Sequence, residues 1–234
     1  MLAIEKLNAW YGASHVLQDI DLEVGRGEVV ALLGRNGAGK TTTLKSIMGL
    51  LSRTAGAIRF KDHELIRLPA HARFGLGLAY VPEERRIVPG LSVLENIRLG
   101  IVASPLRQQE KDVVERIAHT FPRLKERLGQ MAITMSGGEQ QMLAIARAIA
   151  SDPDMILLDE PSEGIMPILV DEMFELFAAL KQSGKTILLV EQNVELALGI
   201  ADRVYILDQG EVVHASTARA LLDDPGMQER YCAV

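Results

Sequence analysis

Gly34-Arg35-Asn36-Gly37-Ala38-Gly39-Lys40-Thr41-Thr42 decides how the rest of the chain is read. It fits G-x-x-x-x-G-K-[ST], a phosphate-binding loop. The glycines let the backbone curl, so successive N–H groups point into one concavity and receive phosphate oxygens. Lys40 can reach the outer phosphates, and the Thr41 hydroxyl can bind Mg2+. The flanks agree. Glu28 to Leu33 reads as a buried strand, and Thr42 to Leu50 as a helix with Leu44, Ile47 and Met48 on one face. Phosphates would lie at that helix's N-terminus, where the dipole and unpaired N–H groups favour an anion. Alone, the loop predicts only that a nucleoside triphosphate binds.

The 234 residues suit one large domain, or a core with an inserted lobe. Hydrophobic residues make up 48% and charged ones 24%, as in ordinary globular proteins. A net charge of −6 argues against a dedicated nucleic-acid binder. The single cysteine, Cys232, excludes a disulfide framework within the chain and fits a reducing cytosol. No run of apolar residues is long enough to span a membrane. Met1 to Lys6 lacks a basic region followed by an apolar one, so no signal peptide is expected. A role at a membrane would therefore need docking onto something already there.

Residues 2–8 and 20–24 alternate apolar and polar, as half-exposed strands of an antiparallel sheet do. Trp10-Tyr11-Gly12 lies between them, and its aromatics read first as packing residues. Residues 55–60 read as another exposed strand, and Leu78 to Val81 as a short buried one. The charged loop Pro82-Glu83-Glu84-Arg85-Arg86 follows. Residues 92–150 turn helical, opening on the capping-box pattern Ser92-Val93-Leu94-Glu95, with Phe121-Pro122 starting a further helix. A second capping box, Ser136 to Glu139, carries Gly137 and Gly138 in a first helical turn, at about 1 kcal/mol each relative to alanine. Those glycines make sense if something large approaches the backbone, and a second anion fits.

Met155 to Leu158 is a continuous apolar run that ends in Asp159-Glu160, as a central parallel strand would. Ligands gather at such carboxyl ends. With a phosphate loop present, the pair reads as an acid directed at Mg2+ followed by one directed at water. Thr186 to Val190 is a third buried strand, ending at Glu191-Gln192-Asn193. Arg203 to Leu207 is a fourth, and Asp208 to Glu211 turns it into a hairpin with Val212 to His214. Thr217 to Leu222 reads as a short helix.

Taken together, the loop at Gly34, the segment Ser136-Gly137-Gly138-Glu139-Gln140 and the Asp159-Glu160 pair make the chain resemble the ATP-binding-cassette (ABC) ATPases over its whole length. Val81-Pro82-Glu83, Thr134 to Ile145 and Val190-Glu191-Gln192-Asn193 look like the ATPases of branched-chain amino-acid importers. The resemblance implies an α/β fold: a P-loop NTPase (RecA-like) core over 1–83 and 151–234, with an N-terminal antiparallel β-subdomain and an inserted α-helical subdomain over 84–150. It implies a head-to-tail dimer, homo- or heteromeric. In it ATP lies between Gly34, Arg35, Asn36, Gly37, Ala38, Gly39, Lys40, Thr41 and Thr42 of one subunit and Ser136, Gly137, Gly138 and Glu139 of the other.

By the same resemblance Tyr11 stacks on adenine, Thr41, Glu83 and Asp159 serve Mg2+, and Glu160 polarises the attacking water beside Lys40 and Gln192. Ser162 to Ile165 forms the loop that crosses to the partner. Glu83 and Gln192 stand where the broad family has glutamine and histidine, and read as markers of the importer branch. Glu163 stands where that branch often has leucine, and nothing in the sequence accounts for it. The implied role is the ATPase subunit of an importer of a small polar solute, branched-chain amino acids before amides or urea. Its implied place is the cytoplasm, peripheral on the inner face of the cell membrane through permease subunits, with a solute-binding protein as indirect partner. The rival from another class is a soluble ABC ATPase acting on nucleic acid or ribosomes. The single cassette and the lack of extended heptads count against that rival.

Overall fold

A computed structural model of the chain describes residues 1–84, 86–102 and 104–232. Arg85 of the expected charged loop lies outside the described residues.

Two sheets stack over one helix. In the first, β1 (Leu2–Tyr11) and β2 (Ser14–Val24) form a hairpin. β4 (Thr54–Phe60) and β5 (His63–Glu64) extend it antiparallel, in the order β2-β1-β4-β5. Leu2, Ile4, Leu7, Leu17, Ile20 and Leu22 point inward, following the period-2 pleat except where the register shifts. Both hairpin strands run further than the sequence suggests. Register shifts between Ile4 and Leu7, and again around Ala9, break the alternation that marks a strand to the eye.

The second sheet has the order β10-β9-β3-β8-β7-β6. Its members are β3 (Val29–Leu33), β6 (Leu78–Val81), β7 (Met155–Asp159), β8 (Thr186–Val190), β9 (Arg203–Asp208) and β10 (Glu211–Thr217). All pairings are parallel except β9 with β10, the predicted hairpin, whose turn uses Gln209 and Gly210 with positive φ. Every residue of β3, β7 and β8 is buried, as expected of strands covered on both faces.

Alternate residues of β3 feed two apolar clusters. Val30 and Leu32 join Leu44 and Ile47 of α1 (Lys40–Ile47) and the first sheet. Val29, Ala31 and Leu33 join the helices of the other face. Those helices are α3 (Val93–Val102), α4 (Glu110–Thr120), α5 (Pro122–Lys125), α6 (Gly137–Ala150), α7 (Pro167–Gln182) and α8 (Val194–Ile200). Ile97, Ile145, Met173, Phe177 and Leu198 pack there against Ile156, Leu158, Ile187 and Leu189. The helical stretch 93–150 therefore shares its core with the sheet. The helix expected from Phe121-Pro122 is a single turn. α2 (Ala70–Gly75), α7, α8 and α10 (Pro225–Cys232) are additions to the expected elements, and α9 (Ala218–Leu222) is the short helix predicted after Thr217.

Parallel pairing puts the carboxyl ends of the central strands at one level. Leu32 and Asp159 both pair with Val190. The loop after β3, the acids after β7 and the turn after β8 therefore meet on one edge of the sheet.

Candidate functional site

Three turns converge on that edge. The first, Gly34 to Gly39, enters α1 through Gly39 in a left-handed conformation. Gly34 has φ 141°, and a Cβ there would stand 2.2 Å from the Leu207 carbonyl, so no larger residue fits. Lys40 is 3% exposed and folds back on its own loop, donating to the carbonyls of Gly34 at 2.8 Å and Arg35 at 3.3 Å. Its ammonium also pairs with Glu160 Oε1 at 3.3 Å. A cavity of about 190 Å3 lies here, lined by Val16, Asn36, Gly37, Gly39, Lys40, Thr41, Thr42 and Glu160. Ala38 is buried behind it. Arg35 turns outward and donates to the Arg230 carbonyl of α10 at 3.2 Å.

Asp159 sits at the end of β7, 1% exposed. It accepts from the Thr41 hydroxyl at 2.9 Å and the Tyr80 hydroxyl at 2.8 Å. Burial pushes its carboxyl above the ordinary range; the two hydroxyls work against that, Glu160 reinforces it and Lys45 opposes it. Burial beside Asp159 also pushes the Tyr80 phenol far above its ordinary value. Tyr80 has no place in the sequence expectation. The available signal was a phenol on a buried strand, whose O–H needs a partner.

Glu160 follows with φ 45°, left-handed for a residue that has a Cβ. Such a backbone persists only where its surroundings hold it. Its N–H donates to Val190 O at 2.9 Å, Lys40 holds one carboxylate oxygen, and the Gln192 carboxamide donates to the other. The predicted pair therefore splits in direction, Asp159 toward Thr41 and Glu160 toward Lys40. Glu191, 2% exposed, accepts the N–H groups of Ser162 and Gln192, both at 3.1 Å, and ties the turn after β7 to the turn after β8. Burial pushes its carboxyl upward.

Glu83 and Glu163 supply what the sequence left unaccounted for. Their carboxylate oxygens and those of Glu160 lie within 4.8 Å of one another. A hydrogen bond to Glu160, then burial, then Glu160, Glu83 and Glu191 raise the Glu163 carboxyl. Burial, then Glu160, Asp159 and Glu84 raise Glu83, with Lys45 opposing. Glu83 thus stands with Glu160 and Glu163, near enough to Asp159 for the two charges to act on each other.

Ser136 to Glu139 is elsewhere. None of these residues lines the cavity at Lys40 among the described residues. The Ser136 N–H and hydroxyl donate to Glu139 Oε2 at 2.9 and 2.8 Å, and the Glu139 N–H returns to Ser136 Oγ at 3.4 Å. The predicted capping box is formed. Burial opposes ionisation of Glu139, but Ser136 and the guanidiniums of Arg127 and Arg123 hold it below the ordinary range. Glu139 is thereby committed to the cap and to Arg127 at 3.0 Å. Gly138 has a reason within the chain: a Cβ there would stand 2.4 Å from Leu169 Cδ1 of α7. Leu169 is thus a close neighbour of this backbone within the chain, beside any ligand that approaches it from outside.

The aromatics divide as well. Trp10 packs, stacked on His15 at 4.5 Å with Arg53 over its other side. Tyr11, next along the strand, is 47% exposed.

The protein-family model described as ABC transporter matches residues 17–163. The chain is 43% identical over 231 residues to the high-affinity branched-chain amino acid transport ATP-binding protein BraG of Pseudomonas aeruginosa, covering 99% of each. It is 38% identical over 224 residues to the probable branched-chain amino acid transport ATP-binding protein LivF of Archaeoglobus fulgidus, covering 95% of this chain and 94% of that one. It is 36% identical over 234 residues to the lipopolysaccharide export system ATP-binding protein LptB of Escherichia coli, covering 98% and 96%. Among solved structures, the ATP binding subunit of an ABC transporter superposes with a TM-score of 0.86 at 31% identity, covering 97% of this chain and 94% of that one. A dimeric ATP-binding cassette in a post-hydrolysis state, bound to ADP and Pi, superposes with a TM-score of 0.80 at 25% identity, covering 94% and 99%.

Proposed function

The chain belongs to the ABC transporter family as an ATPase subunit, and from that premise we propose that it drives uptake of branched-chain amino acids through a membrane permease. Support for the solute comes from the likeness to BraG and LivF along nearly the whole chain. LptB, at 36% identity, is the reason the family alone does not name the solute. No helix among the described residues is long and apolar enough to cross a membrane. By the likeness to BraG and LivF, the chain works from the cytoplasmic face, docked on permease subunits that a solute-binding protein supplies.

In this reading two such subunits, identical or related, meet head to tail. ATP lies between Gly34 to Thr42 of one and Ser136-Gly137-Gly138 of the other. Its adenine stacks on Tyr11, and its phosphates take the cavity at Lys40. Lys40 exchanges its loop carbonyls and Glu160 for phosphate oxygens. Exposed apolar side chains at Ile133, Met166 and Ile168 flank the segments that meet the partner.

Thr41 and Asp159 offer the hard oxygen donors that Mg2+ prefers, and the carboxylates of Glu83, Asp159, Glu160 and Glu163 outnumber Lys40 and Lys45. Bound there, Mg2+ would neutralise charge on the outer phosphates. Tyr80 fixes the Asp159 carboxylate from the side away from Thr41. Glu160 orients the attacking water and takes its proton, and Gln192 keeps that carboxylate in line.

The observation that carries the reading is the Glu160 carboxylate, 8% exposed on a strained backbone, held between Lys40 and Gln192 at the wall of the phosphate cavity. Glu160→Gln should leave ATP binding intact and lower phosphate release by roughly a hundredfold or more, the scale of a lost general base. Turnover at the unsubstituted rate would overturn the assignment. Loss of labelled leucine, isoleucine and valine uptake on deleting the chain tests the solute, and unchanged uptake would remove it.

A further inference from the structure

α6 begins at the proposed contact with the partner's ATP and ends one turn beyond Arg147. Arg147 is partly buried, and burial lowers the proton affinity of its guanidinium. No carboxylate pairs with it among the described residues. Instead it donates to the backbone carbonyl of Arg86 at 2.7 Å. Arg86 has φ 37°, a left-handed backbone at a residue with a Cβ, so its conformation depends on what holds it.

The same loop is gripped at a second point. Asn96 of α3 is fully buried and takes the Val88 N–H at 2.9 Å, while its carboxamide donates to Val88 O at 3.1 Å and Ser92 O at 3.0 Å. α3 and α6 are themselves in backbone contact, since a Cβ on Gly100 would stand 2.0 Å from the Arg147 carbonyl. At the other end the loop leaves the sheet at Val81, the last residue of β6. Glu83 lies between these attachments, with its carboxylate beside Glu160 and Glu163. The loop thus has one foot on the sheet and one on the helices, and the acid sits on the span between.

We propose that Arg147 is a positioning residue for the ATP site: it transmits displacement of α6 through the Arg86 carbonyl to the place Glu83 occupies beside Glu160. The inference rests on the ATPase reading above and adds to it the group that links α6 to the hydrolytic acids. Arg147 does not line the cavity at Lys40. Its guanidinium suits the task because it reaches far, keeps its charge and donates in a fixed plane to a carbonyl. Salt does not screen such a bond as it would an exposed ion pair.

The test uses the full chain, with phosphate release at saturating Mg-ATP and binding of a fluorescent ATP analogue read side by side. Arg147→Met should lower turnover roughly tenfold, within the range that sub-ångström misplacement of a reacting group produces, with analogue affinity within about twofold. Arg147→Lys keeps a donor within reach of the carbonyl and should recover most of the loss. In a Glu83→Ala background Arg147→Met should cause little further loss, because the residue acts through Glu83. Turnover of Arg147→Met equal to that of the parent chain would overturn the proposal, as would an undiminished effect in the Glu83→Ala background. Equal loss of melting temperature, affinity and turnover in both Arg147 variants would assign it a structural role instead. If Glu160→Gln loses turnover as expected while Arg147→Met does not, the positioning role fails and the ATPase reading stands.

Discussion

The phosphate loop and the Ser136 segment are both helix N-termini, and their polar groups are satisfied in opposite ways. Around Lys40 the polar groups come from distant parts of the chain: Thr41 with Asp159, Asp159 with Tyr80, Glu160 with Gln192. Around Ser136 every bond of the cap is made within one turn of α6, between Ser136 and Glu139. The first arrangement needs the whole fold to exist. The second needs only a helix, and what the fold adds is Leu169 against Gly138 and Arg127 against Glu139. On the proposed function the first must be complete in each subunit and the second is offered to another, and the two tasks have different requirements. The first is interlocked and buried. The second satisfies itself locally, and it can trade its hydroxyl to a ligand at the cost of one cap bond.

The contrast is sharpest in a pair of substitutions. Lys40→Ala should weaken nucleotide binding of the isolated subunit by roughly 30-fold or more, since hydrogen bonds to charged groups contribute about 1.5–3 kcal/mol each. It should also destabilise the unliganded protein, because Glu160 would lose the Lys40 ammonium while remaining buried. Ser136→Ala should cost about 1 kcal/mol of stability as a lost cap and leave nucleotide affinity of the isolated subunit within about twofold. Its turnover should still fall, because the partner's phosphate loses a donor. Isothermal titration with a non-hydrolysable ATP analogue at low protein concentration separates the two. If Ser136→Ala weakened binding as much as Lys40→Ala, the division between a complete and an offered half-site would be lost.

A smaller effect comes from Asp159, the most buried acid of the interlocked side. Its pKa is raised in the folded state, chiefly by burial. The folded chain therefore holds this proton more tightly than the unfolded chain does. Any stability tied to it is present below the ordinary carboxylate range and is lost as pH climbs through the raised value. Asp159→Asn removes that loss. Its melting temperature should match the parent's in acid, then exceed it increasingly as pH rises to neutrality, while Mg2+-dependent turnover disappears. Scanning calorimetry across that pH range measures it. An Asn variant less stable than the parent at neutral pH would mean that the Thr41 and Tyr80 hydroxyls outweigh burial.

These two half-sites also differ in how far the sequence reveals them. Gly34 to Thr42, both capping boxes and the Asp159-Glu160 run were legible because each is a contiguous pattern whose spacing carries its own geometry. The sheet was legible as strands, since burial on two faces writes continuous apolar runs such as Ile187 to Val190. The strand order, with β3 between β8 and β9, was not, because nothing local encodes which run lies beside which. For the same reason Tyr80 escaped notice: it meets Asp159 across 79 residues of sequence. Glu163 seemed arbitrary in the sequence until folding placed Glu83 and Glu160 against it. Gly138 was read as a place of close approach, but its neighbour Leu169 was not foreseen, since it belongs to a helix that the reading did not assign.

The smallest effect tests whether the offered and interlocked styles coexist on a single strand. Trp10 and Tyr11 are neighbours on β1, so the pleat sends them to opposite faces. Trp10 is already engaged, between the His15 ring and the Arg53 guanidinium. Tyr11 is exposed and leaves its ring for a ligand. If adenine stacks on Tyr11, Tyr11→Ala should reduce ATP affinity about fivefold, the lower end of the 1–3 kcal/mol that a stacked base loses on alanine substitution. Tyr11→Phe should change it by less than about twofold, because stacking needs the ring face and not the hydroxyl. Trp10→Ala should do the reverse: ATP affinity holds, and stability falls by about 1 kcal/mol with the loss of stacking and cation–π contacts. Guanosine and adenosine triphosphates should lose equal affinity in Tyr11→Ala, because a ring face does not read base edges. A Trp10→Ala chain that binds ATP more weakly than Tyr11→Ala would exchange the two roles, making the tethered ring the platform and the free one incidental.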